Sequence, residues 1–138
     1  MKHCRALSVS ISCAMKTQSF SYDPVVGPLV SAEIRGNRSI VSKMLISTGT
    51  NHSYLAPAIA EHLDLKRRSR VPLMYRGDLY FPDFDALFTN HDFLAFDGTH
   101  PITHLKLSSR IDGIVGRKVL QRGRLTISGM QRQFTLSL

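Results

Sequence analysis

The amino-acid sequence predicts a mainly β fold. Valine, isoleucine, threonine and serine recur in short stretches punctuated by Gly, Pro, Asn and Asp, the pattern of strands separated by turns. Long runs of helical periodicity are scarce. A hydrophobic content of 43% against 20% charged residues argues against wholesale disorder. At 138 residues the chain suits one domain, large enough to hide roughly two-thirds of the surface that its unfolded form exposes.

The elements follow from local pattern. Leu7, Val9, Ile11, Cys13 and Met15 alternate with Ser8, Ser10 and Ser12, which places five side chains on one face of a strand. The basic start and the apolar residues after it have some signal-peptide character, but the serines interrupt the run, so a strand is the preferred reading. Residues 16–28 are polar and carry Asp23-Pro24 and Gly27-Pro28, marks of a connector. The expected division is therefore an N-terminal strand and connector over 1–27 and the main domain over 28–138. Residues 29–34 and 39–46 form a hairpin around Gly36-Asn37, residue types that tolerate tight turns. A helix is expected over 57–63. Pro57 suits its first position, and Leu55, Ile59 and Leu63 repeat every four residues.

Beyond that helix, residues 71–81 suggest a second hairpin turning at Arg76-Gly77, with Pro72 weakening its first arm. Residues 83–96 hold one or two further strands, and Asp97-Gly98 turns the chain. Residues 111–115 read as a short apolar strand interrupted by Asp112-Gly113. Residues 117–121 make about one helical turn, stopped by Gly123. Residues 125–128 and 133–138 close the chain as a hairpin around Gly129.

Three pieces carry the chemistry. An apolar strand end runs into a small loop, Met44-Leu45-Ile46-Ser47-Thr48-Gly49-Thr50. A helix-opening segment follows, Asn51-His52-Ser53-Tyr54-Leu55-Ala56-Pro57. Much later comes Ile111-Asp112-Gly113-Ile114-Val115-Gly116-Arg117-Lys118-Val119-Leu120. In this order and at these separations they resemble the retropepsin-like aspartic proteases, over about residues 28 to 138. In that family the first piece reads apolar-apolar-Asp-Thr/Ser-Gly, and the third reads apolar-apolar-Gly-Arg before a short helix.

The resemblance implies a closed barrel with two short helices, one domain per subunit. It also implies a homodimer acting on a peptide or protein substrate, in which each subunit supplies one aspartate to a shared pair. Two carboxylates that close cannot both ionise, so they share a proton. The ionised member draws a proton from water while its partner donates to the scissile carbonyl. By the same resemblance Thr48 braces the two loops across the dimer, and Gly49 lets the backbones approach. Ile114, Val115 and Gly116 pack behind the loop, Arg117 is structural, and Thr50 and Asn51 face substrate. For the hairpin that covers the cleft in this family two readings stay open: a trimmed, basic one over residues 66–74, or residues 71–81 with Arg76 and Gly77 at the tip.

The departure is Ser47, which stands where the family has its aspartate. A serine hydroxyl does not ionise near neutral pH and has no carboxyl proton to share. The expectation is an aspartic-type endopeptidase fold that hydrolyses poorly or not at all. An alternative is a non-catalytic module binding peptide or nucleic acid through a basic surface.

Other signals give bland readings. The formal charge is +8, with its densest run at Lys66-Arg67-Arg68-Ser69-Arg70. No aromatics interleave with that run, so a solvated edge is preferred over a nucleic-acid site. Ser47 with His52 lacks an orienting acid for serine-type hydrolysis. His100 and His104 flank a Pro-containing turn-rich stretch, with Asp97 nearby, and do not have the helical spacing of a metal site. No metal or cofactor is expected. Cys4 and Cys13 cannot build a disulfide framework and fit a reducing, cytoplasmic setting. No stretch reaches the ~18 apolar residues of a membrane span.

Overall fold

The structure, a computed structural model, describes residues 15–95 and 111–138. Its strands are β1 (Thr17–Ser21), β2 (Leu29–Arg35), β3 (Ser39–Ile46), β4 (Ser53–Leu55), β5 (Lys66–Arg70), β6 (Leu73–Phe81), β7 (Ala86–Ala95), β8 (Gly113–Val115), β9 (Arg124–Ser128) and β10 (Gln133–Ser137). Two helices, α1 (Pro57–His62) and α2 (Arg117–Leu120), sit between them.

The larger sheet runs β2-β3-β8-β4-β7-β6-β5, and β2 also pairs with β6. That extra pairing closes six strands into a barrel and leaves β5 attached outside it through β6. Closure removes the open edges that a sheet of this size would otherwise expose. The inside is apolar because the strands alternate. Val30, Ala32 and Ile34 of β2 point inward, as do Met44 and Ile46 of β3, at the period of two that a strand imposes. Leu55, Leu79, Phe81, Phe93 and Val115 fill the rest. Ala60, Leu63, Val119 and Leu120 bring the two helices against this same core.

A second, three-stranded sheet has the order β1-β10-β9. The stretch 16–28, expected as a connector, thus contains a strand. The reason is legible afterwards: one face of β1 is polar yet paired. Thr17 shares a hydroxyl hydrogen bond with Ser137 at 2.7 Å, and Ser19 another with Thr135 at 2.8 Å. On the other face Phe20 packs against Phe134, ring centroids 5.3 Å apart. Met15, expected to end an earlier strand, is exposed and outside any strand. The rest of that alternation, Leu7 to Cys13, lies outside the described residues, as do Asp97-Gly98, His100, His104 and Cys4.

Two further expectations are corrected. The hairpin covering residues 66–81 turns at Val71-Pro72, between β5 and β6, and Arg76 and Gly77 lie in the middle of β6. Gly77 is not a turn glycine; a Cβ there would meet Leu65 Cδ2 at 2.7 Å and the Arg35 carbonyl oxygen at 3.0 Å. Close packing is what requires it. The segment before α1 also holds a strand, β4, and the charge run 66–70 is itself the edge strand β5. Among the described residues no helix is long and apolar enough to cross a membrane.

Candidate functional site

The loop after β3 is fixed from behind by the turn between β8 and α2. β3 and β8 run parallel, with Leu45 beside Ile114 and Ile46 beside Val115. The last rung is the Ser47 amide, which donates to the Val115 carbonyl at 3.0 Å. The chain then leaves the sheet, and the Ser47 hydroxyl accepts from the Gly49 amide at 3.2 Å. That local bond closes a tight turn of the kind that short polar side chains favour.

Helix α2 completes the clamp. A helix start leaves amides without intrahelical partners; here the Arg117 amide donates to the Thr50 carbonyl at 2.9 Å and the Lys118 amide to the Asn51 carbonyl at 3.1 Å. The Arg117 side chain reaches back and donates from Nη1 to the Thr48 carbonyl at 3.1 Å. One arginine thus holds the loop at two points. Gly116 allows the approach, because a Cβ there would run into the His52 carbonyl oxygen and come within 2.9 Å of the Asn51 oxygen.

Beneath this seam is a polar pair that sequence reasoning missed. Ser53, fully buried, places its hydroxyl 2.8 Å from His91 Nε2 and accepts from the Gly116 amide at 3.3 Å. Burial pushes the His91 imidazole down to about 4 from 6.5, with Lys118, Arg122 and His52 adding to the effect and Asp92 opposing it. His91 therefore stays neutral near pH 7 and bridges β7 to the β4 hydroxyl. Nothing local in the sequence links two residues 38 positions apart; the only signal was a polar Asn90-His91-Asp92 within an otherwise apolar strand.

The predicted site residues divide into two groups. Ser47, Thr48, Gly49, Thr50 and Asn51 meet Ile114, Val115, Gly116 and Arg117 at one seam. Arg76 and Gly77 do not join them at a turn. Arg76 forms a two-point pair with Asp92, at 2.8 and 3.2 Å, which holds the Asp92 carboxyl below the usual range.

Ser47 has no catalytic neighbour within its own subunit among the described residues. It makes no hydrogen bond with His52, whose Nδ1 is buried without a partner, so the serine-hydrolase arrangement is absent. Asp112, whose carboxyl is raised by burial, aligns with Lys43 through its amide. Four residues of strand, roughly 13 Å, separate that level from Ser47.

An apolar surface flanks the loop. Val115 faces the barrel core, while Ile114 faces the other way and joins Ile111, Val26, Leu29, Leu45 and Tyr54 in a second cluster. A hollow of about 280 Å³ opens beside it, lined by Tyr22, Val26, Leu29 and Ile111 among others. A loop of backbone groups and hydroxyls next to such a wall suits an extended peptide, whose main chain needs hydrogen bonds and whose side chains need apolar contact.

This mainly β chain, with its closed six-stranded barrel and two short helices, has a retropepsin-like fold. Among solved structures the chain is similar to a retropepsin-like aspartic protease from Rickettsia conorii, with a TM-score of 0.58 and 14% identity over 92% of this chain and 96% of that one. Likeness at that identity is a likeness of fold. No protein-family model and no curated protein matches the sequence.

Proposed function

We propose that the chain is one subunit of a homodimeric retropepsin-like domain that binds extended peptide and does not hydrolyse it. The observation that carries this reading is the placement of Ser47. It stands at the first position of a loop clamped by Gly116 and Arg117, where the fold's chemistry calls for a carboxylate. The hydroxyl satisfies the loop by accepting from Gly49, so the turn keeps its shape without the acid. Two such loops meeting at a twofold axis carry two hydroxyls and neither a base nor a shared proton.

Gly49 supports the dimer. Among the described residues a Cβ at this exposed position would meet only the Ser47 hydroxyl, at 3.6 Å, so none of them requires a glycine here. A second copy of the loop would. Thr48 is likewise exposed beside it, in position to brace that copy. Peptide would lie along the loop with side chains against the cluster of Leu29, Leu45 and Ile114.

The test is a peptide-cleavage assay on mixed extended peptides at mildly acidic pH, comparing the chain with Ser47→Asp. The unaltered chain is expected to bind without cleaving. Ser47→Asp is expected to gain turnover that rises with the square of protein concentration while dimers are scarce. Cleavage by the unaltered chain at a rate matching the variant would end the proposal.

A further inference from the structure

A separate feature lies on the outside of the barrel, where the start of β7 faces α2. The two enclose a groove of about 330 Å³ whose lining includes Thr89, Asn90, His91, Asp92, Lys118 and Arg122. Lys118 and Arg122 are exposed and four residues apart. The one carboxylate of the lining, Asp92, is taken by its two-point pair with Arg76. Among the described residues, two positive charges thus line the groove with no carboxylate paired to them.

Their positions converge. The Arg122 guanidinium lies over the Phe88 ring, 5.3 Å from its centroid, and stacking of this kind fixes the plane of the fork while leaving its edge N–H groups available. Lys118, Arg122 and His91 line this one groove together. Asn90 and Thr89 add neutral polar groups on the β7 side.

We propose that this groove binds a phosphate-type oxyanion, held by the Arg122 fork and the Lys118 ammonium. The chemistry matches: a guanidinium gives two parallel hydrogen bonds to one tetrahedral oxyanion, and an ammonium adds a compact point charge. A dianion balances both cations. The groove shares α2 with the clamp on the Ser47 loop, where the Lys118 amide holds the Asn51 carbonyl, but it uses the Lys118 and Arg122 side chains, so phosphate binding is tested separately from peptide cleavage.

The experiment follows the His91 ring signals by NMR at neutral pH while inorganic phosphate is added, ionic strength being kept constant with sodium chloride. O-phosphoserine is titrated in parallel. A saturable shift at His91 is expected with at least one of them; the tighter response tells free phosphate from a phosphorylated chain. The double variant Lys118→Gln/Arg122→Gln should lose about tenfold or more in affinity, whereas Arg124→Gln, outside the groove, should keep it. Unchanged amide signals in β1 and β10 would show that the double variant is folded. Shifts that fail to saturate, that sodium chloride alone reproduces, or that persist in the folded double variant overturn the site.

Discussion

Two glycines near Ser47 answer to different constraints, and substitution separates them. At Gly116 any side chain collides with the His52 carbonyl inside the same subunit. Gly116→Ala should therefore destabilise the fold by about 3 kcal/mol, the scale of overpacking in a rigid seam, seen as a lower urea midpoint. At Gly49, among the described residues, a Cβ meets only an ordinary contact. Gly49→Ala should leave the urea midpoint of the subunit nearly unchanged and weaken self-association, measured by sedimentation. A Gly49→Ala protein that associates as before would remove this support for the dimer. The loop and its Gly-Arg backing were legible in the sequence because their spacing is specific. The contributions of Ser53 and His91 were not, because a hydrogen bond across 38 positions leaves no local periodicity. The role given to Arg76-Gly77 rested on a turn-forming dipeptide, and packing against Leu65 was the stronger demand on that glycine.

Among the elements, the seam of β4, β7 and α2 depends on a neutral histidine. His91 is depressed to about 4 in the fold, against 6.5 when unfolded, so the unfolded chain binds the proton more readily. Its contribution is complete above pH 6.5 and is lost as pH falls from 6.5 towards 4, by up to about 3 kcal/mol. Urea midpoints measured across that window should fall more steeply for the unaltered chain than for His91→Gln, whose amide can donate to or accept from Ser53 but does not titrate. Equal slopes would show that His91 does not carry this dependence. Asp112, raised by burial, acts in the opposite sense, which is why the comparison with His91→Gln is needed. The hairpins β2–β3 and β9–β10 were readable from alternation and turn residues. β1, β4 and β5 were not. β1 and β4 are short strands formed by pairing with distant chain, β1 with β10 and β4 with β7 and β8, while β5 is a charged strand whose run of basic residues hid its local pairing with β6 across the Val71-Pro72 turn. Local propensity does not encode such partners.

At the scale of the whole molecule, the barrel holds the Ser47 loop at the exposed end of the β3–β8 pair. The three-stranded sheet of β1, β10 and β9 packs on the same core through Phe134 and Leu136. Both outer strands of that sheet, β1 and β9, lack a second neighbour among the described residues, and Ile127 on β9 is 51% exposed. A Ser47 loop at the surface and strand edges unpaired among the described residues fit the second copy proposed above.

The direct test of that claim is a disulfide between two copies of the loop. In a background carrying Cys4→Ser and Cys13→Ser, Ser47→Cys places one thiol on each subunit. A disulfide forms without distortion only when the Cα atoms lie within about 7 Å. Mild oxidation of this protein should give a covalent dimer in high yield, far above that of Met130→Cys, whose position at the β9–β10 turn is fully exposed. A yield no higher than that of the Met130→Cys control would contradict the account, because the two loops would then not meet.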